Sequence, residues 1–140
     1  EAGRRVKEAG ISLSVTVLLG LAGAGDGQKH ALATANILSA IDPDFASALT
    51  LMVVPGTPLY EDMQAGRFQL PSLFEVLEEL GTIVANSNFS RCYFTSNHAS
   101  NYLPIKARMP KDKEAVVKLI QKVVSAKDKS LLRPEFLRGL

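Results

Sequence analysis

The sequence has very little cysteine: Cys92 is the only one in 140 residues. One thiol forms neither an internal disulfide nor a cysteine-only metal site. A secreted disulfide scaffold is thereby excluded, and a reducing cytoplasm is the expected location. Long apolar runs are also missing. A run such as Val15 to Leu19, broken by Thr16, is far too short to span a bilayer, and no signal peptide is visible. A strong charge of either sign is absent too. The formal net charge is +2, which gives no clear nucleic-acid signal. Histidine occurs only twice, at His30 and His98, with no second histidine or carboxylate at metal-ligand spacing, so no metal site is predicted. No internal repeat or low-complexity segment is found.

What is present reads as one globular domain. Hydrophobic residues make up 46% and charged residues 21%, which argues against disorder. The chain opens within a helical pattern, Glu1 to Ala9, stopped by Gly10. It is therefore expected to be a fragment whose N-terminal part is its first missing partner. Ile11 to Leu19 alternates apolar and polar residues, as a strand does. Asp26 is placed to cap a helix carrying Ala31, Leu32, Ala35, Leu38 and Ile41, which Pro43 ends. Ala46 to Val54 reads as a buried strand closed by Pro55-Gly56-Thr57-Pro58. A short helix follows over Leu59 to Gln64.

Ser72 and Glu75 form a capping box before a helix with Leu73, Val76, Leu77, Leu80, Ile83 and Val84 as its apolar stripe. Arg91 to Thr95 is a third strand. Asp112 opens the last helix, striped by Val116, Ile120, Val123 and Val124. The basic segment from Lys127 to Leu140 is predicted to pack loosely. The lysines around it read as a solvated face.

Strands alternating with helices predict an α/β fold with parallel strands and right-handed crossovers. Residues 1–90 form its main repeats, and 91–140 a C-terminal strand and helix extension. Three central-type strands leave edges exposed, so a dimer through a sheet edge is one expected partner. Ser12, Ser14 and Thr16 put polar groups on one face of the first strand. Either that face lines a wide, partly hydrated barrel interior, or the strand lies at an edge.

Ligands gather at the carboxyl ends of parallel strands. Here those ends are Leu18 to Gly27, Val53 to Tyr60 and Thr95 to Tyr102. The glycine turn fails as a dinucleotide fingerprint, because Gln28 stands where the third glycine belongs. It fails as a phosphate loop as well, because Asp26 stands where the lysine belongs. Asn97, His98, Asn101 and Tyr102 form the densest polar cluster and offer many hydrogen bonds. His30 is read as a solvated first-turn residue, and Cys92 as a buried structural thiol.

Two segments, Thr16-Val17-Leu18-Leu19-Gly20-Leu21-Ala22-Gly23 and Met52-Val53-Val54-Pro55-Gly56-Thr57-Pro58-Leu59-Tyr60, resemble strand ends of radical S-adenosylmethionine (SAM) enzymes. Ser96 to Pro104, followed by Met109-Pro110-Lys111-Asp112-Lys113, resembles the C-terminal end of bacterial members of that family described as Fe–S oxidoreductases. Ala22 replaces the proline usual in the first motif, and Gly25-Asp26-Gly27 departs from its end. The resemblance implies the C-terminal part of a partial (β/α)6 TIM-like barrel. Its cofactors would be SAM and a [4Fe–4S] cluster held by a Cys-x-x-x-Cys-x-x-Cys loop in the full-length protein. Neither is expected to bind this stretch alone, which by itself would be inactive.

Matched residue by residue, Leu18 and Gly20 would approach the adenine, with Met52, Val53 and Val54 beside them. Asn97, His98 and Asn101 would face the substrate, whose identity the resemblance does not give; no residue is assigned to catalysis. Two alternatives stay open: a fragment of a phosphate-binding (β/α) barrel, or a non-catalytic interaction module.

Overall fold

The computed structural model describes residues 1–139. It is an α/β structure in which one four-stranded sheet carries all its main helices on one side. The elements are α1 (Ala2–Glu8), β1 (Ser14–Leu19), α2 (Gly27–Ile41), β2 (Phe45–Thr50), α3 (Pro58–Gln64), α4 (Leu73–Asn86), β3 (Cys92–Thr95), β4 (Lys106–Met109), α5 (Lys113–Ala126) and a final 3-10 turn, η1 (Glu135–Leu137). The strand order is β1-β2-β3-β4.

β1 pairs with β2, and β2 with β3, in parallel, as β-α-β alternation requires. β4 departs from the expected all-parallel arrangement. It pairs antiparallel to β3, with Tyr93 opposite Arg108 and Thr95 opposite Lys106. Only Ser96 to Ile105 joins β3 and β4, which leaves no room for a helical crossover. Sequence reading missed this strand although a signal existed: Ile105-Lys106-Ala107-Arg108-Met109 alternates strictly between apolar and polar residues. β1 and β2 are shorter than the apolar runs that announce them. Ile11 is 59% exposed outside β1, and 51–54 follow β2 outside any regular element.

Strand alternation sorts the sheet into two unlike faces. Leu19, Ala46, Ala48, Cys92, Phe94, Ala107 and Met109 are buried on one face. Against them pack Ala31 and Leu38 of α2, Val76, Leu77, Leu80, Ile83 and Val84 of α4, and Val116, Ile120 and Val123 of α5, in one continuous core. α4 touches α2 on one flank and α5 on the other. Gly81 lets α4 and α5 approach closely, since a Cβ there would stand 3.1 Å from Ile120. On the other face Ser14, Thr16, Phe45, Tyr93, Lys106 and Arg108 are exposed and carry no helix.

Helix ends follow local chemistry. Ser72 Oγ accepts the Glu75 N–H while Glu75 accepts the Ser72 N–H at 2.7 Å, a complete capping box. Asp26 occupies the N-cap of α2, but its side chain makes no cap bond there. The C-terminal segment is better anchored than its composition predicts. Leu132 is buried, and the Arg133 N–H donates to the Tyr102 carbonyl at 2.7 Å. No helix among the described residues is long and apolar enough to cross a membrane.

Phe94 is the largest fully buried side chain of the sheet, at 1% exposure. Phe94→Ala is expected to cost about 3–5 kcal/mol, read as a lower denaturant midpoint with an unchanged slope.

Candidate functional site

The carboxyl ends of β1, β2 and β3 lie side by side, because these strands run parallel and in register. Leu18 pairs with Leu49, and both point to the helix-free face, where they are half-buried. The last ladder bond runs from the Leu51 N–H to the Leu19 carbonyl at 2.9 Å. Met52, Val53 and Val54 lie beyond it. Met52 and Val53 are half-buried and Val54 is 40% exposed. The fold therefore gathers Leu18, Gly20 and the Met52–Val54 segment at one end of the sheet, with Asn97 and His98 beyond the neighbouring β3.

Gly20 ends β1 with φ +81, a backbone region that favours glycine. A Cβ there would also meet Pro71 at 3.1 Å. Its N–H donates to Oε2 of Glu79 at 2.8 Å, and the other carboxylate oxygen of Glu79 lies 2.6 Å from Nδ1 of His30. Glu79 is 1% exposed. His30 is thus the partner of a buried carboxylate rather than a solvated residue. Sequence reading missed this pair, although a signal existed: Glu79 interrupts the apolar stripe of Val76, Leu80 and Ile83.

The glycine turn is held by the segment before α4. The Ala24 N–H donates to the Gln69 carbonyl at 2.9 Å, and a Cβ on Gly23 would stand 3.2 Å from the same oxygen. The small cavity beside Gly23, Gly25 and Gly27 is lined by Glu75, Glu78 and Glu79. The Glu75 carboxyl is held below the usual range, first by its hydrogen bonds with Ser72. Such a cluster of acids repels phosphate, which counts against the phosphate-binding alternative.

Asn101 does not face outward. It is 2% exposed, accepts the Thr50 hydroxyl at 2.9 Å and donates to the Ala48 carbonyl at 2.8 Å. Its amide extends β2's bonding where the strand ladder ends, so the fold uses it to position the loop. Ser100 acts alongside, accepting the Thr50 N–H and donating its own N–H to Nδ1 of His98. Asn97 and His98 remain exposed.

The C-terminal segment clamps this loop. Arg133 donates to the carbonyls of His98 and Asn101 at 2.7 and 2.9 Å, and Arg138 to that of Ser100 at 2.8 Å. The Arg138 guanidinium stacks on the Tyr102 ring, 4.0 Å from its centre, and pairs with Glu135. Burial raises the Tyr102 phenol, while Arg138 holds the Glu135 carboxyl low. A cavity of about 130 Å³ lies beneath this clamp, between Gly20, Thr50, Leu51 and Pro71.

Cys92 lies at the amino end of β3, the opposite end of the strand, and is 2% exposed. Burial, helped by the nearby Asp42 carboxylate, pushes its thiol up to about 11. Among the described residues no three His, Cys, Asp or Glu side chains cluster to hold a metal ion. In comparisons with known proteins, no family model, no curated protein and no solved structure matches the chain.

Glu79→Ala would leave the buried Gly20 amide without its acceptor. It is expected to cost about 1–3 kcal/mol in urea unfolding. Because the Cys92 thiol is raised on folding, its contribution is fully present below about pH 9, its ordinary value. That contribution is lost as pH climbs toward 11. Cys92→Ala should flatten this alkaline loss in denaturation midpoints taken across that window.

Proposed function

We propose that this chain is the C-terminal part of a radical SAM enzyme's partial (β/α)6 barrel, forming part of the SAM and substrate face. The observation that carries this reading is the one-sided coverage of the parallel strands. In doubly wound α/β sheets helices cover both faces, whereas in (β/α) barrels they lie only outside and the inner face is shared among strands. Here α2, α4 and α5 all pack on one face. The opposite face carries a polar row, Thr16, Ser47 and Thr95, with the Ser47 and Thr95 hydroxyls 3.1 Å apart. β1 is an edge strand, so a preceding barrel strand has a place to pair. The antiparallel β4 ends the parallel run at the other edge, as the C-terminal extension of an incomplete barrel would.

The residues fit the adenosyl part of such a cofactor and not its cluster. Leu18 and Leu49 offer an apolar floor on the inner face, next to the main chain of Met52 and Val53. Gly20 shapes the turn that keeps this floor open, through its bond to Glu79. Asn97 and His98 are exposed on the substrate side, and Asn101 holds them there by its bonds to Ala48 and Thr50. The sole cysteine is buried at the far end of its strand, so the cluster-binding thiols belong to the N-terminal part of the same enzyme. Hydrogen abstraction from substrate is the chemistry supplied when both groups are bound, and this chain's share is to bind, orient and exclude water.

The test begins with the residues encoded upstream of Glu1, expected to include three closely spaced cysteines. The whole protein, reconstituted anaerobically with iron and sulfide and then reduced, should release 5′-deoxyadenosine from SAM. Leu18→Asp should weaken SAM binding. An upstream region without the cysteines, or a reconstituted whole protein that leaves SAM intact, would overturn the reading.

A further inference from the structure

The helix-free face holds a second feature, at the amino ends of the strands and away from Leu18 and Met52. In register across the sheet run Ser14, Phe45, Tyr93 and Arg108. Phe45 is 48% exposed and Tyr93 38%, on adjacent strands and the same face. Large aromatic rings left open side by side on a sheet are costly to solvate and are normally covered. The next row ends in Lys106, opposite Thr95. Arg91 and Arg108 line the same cavity as the two rings, about 440 Å³ in volume.

The charges here are unequal. The side chains of Arg91, Lys106 and Arg108 are exposed and enter no ion pair among the described residues. The facing carboxylate, Asp44, is already neutralised. It accepts from Lys7 Nζ at 2.7 Å and from the Leu13 N–H at 2.9 Å. The nearby Asp42 carboxylate accepts from the Ser90 N–H and hydroxyl and keeps its charge, so three cations face one uncompensated carboxylate. The surface therefore offers two stacking rings and three cations outside any ion pair among the described residues.

We propose that this face binds single-stranded nucleic acid, with bases stacking on Phe45 and Tyr93 and phosphates held by Arg91, Lys106 and Arg108. Stacking accepts any base, and the phosphate contacts carry no sequence information, so binding should be strand-selective and sequence-tolerant. A duplex fits poorly, because its bases are already stacked on one another. The inference needs no cofactor; in the barrel reading Phe45 and Tyr93 lie at the amino-end rim of the inner face, so binding requires that rim to stay open.

The experiment is fluorescence anisotropy of a labelled oligouridylate, and of a duplex of the same length, titrated with this chain at low salt. The single strand should bind and the duplex should bind more weakly. Phe45→Leu and Tyr93→Leu keep apolar bulk at positions already half open, and circular dichroism melting checks that both variants fold. Each should weaken single-strand binding about tenfold. Arg108→Ala should make the affinity fall less steeply with salt, by roughly one ion's worth of slope. Wild-type affinity in both leucine variants, equal binding of duplex and single strand, or no binding at low salt would each overturn the proposal.

Discussion

The carboxylate of Glu79 is the point on which the carboxyl end of the sheet depends. Burying it would be costly without partners, and it has two from different segments: the amide of Gly20 at the end of β1 and the imidazole of His30 in the first turn of α2. Through them α4 fixes where β1 stops and where α2 starts. The glycine turn between those points is therefore set by a helix nearly fifty residues downstream of His30. A turn so rich in glycine would otherwise sample many conformations. Its geometry comes from this one anchor, from Pro71 against Gly20 and from the Gln69 carbonyl.

A second constraint acts from the chain's other end. Arginine has several donors in a rigid fork, which suits it to collect stray carbonyl oxygens. Arg133 and Arg138 do this for His98, Ser100 and Asn101, the loop that plugs the end of β2. The side chain of Asn101 meanwhile satisfies Thr50 and Ala48 where β2 has no further strand residue to bond. Polar groups at a sheet's end must find partners or reach water. Here the partners are a buried amide and two arginines from a segment that reads as a solvated basic tail.

One-sided packing links fold and function. With the helices gathered on the apolar face, the other face keeps serines, threonines, two open rings and three cations. Such a face can line a barrel interior near Leu18 and Leu49, and near Phe45 and Tyr93 it can present a stacking surface. Both lie on the one face that alternation keeps out of the core, toward opposite ends of the parallel strands.

The local elements were legible from sequence because their causes are local. The capping box at Ser72 and Glu75, the stripes of α4 and α5, the stop at Gly10 and the alternation of β1 all follow from residues close together in the chain. The burial of Cys92 was legible as well, from its place within a predicted strand. The pairing of His30 with Glu79, the inward turn of Asn101, the antiparallel β4 and the cluster of Phe45 with Tyr93 and Arg108 were not. Each joins separate segments, and nothing in either segment alone reports its partner. The sequence by itself determined which segments are helix or strand and which of their faces are apolar. Tertiary structure alone decided which polar groups are buried with partners and which stand open, because that depends on where distant segments meet.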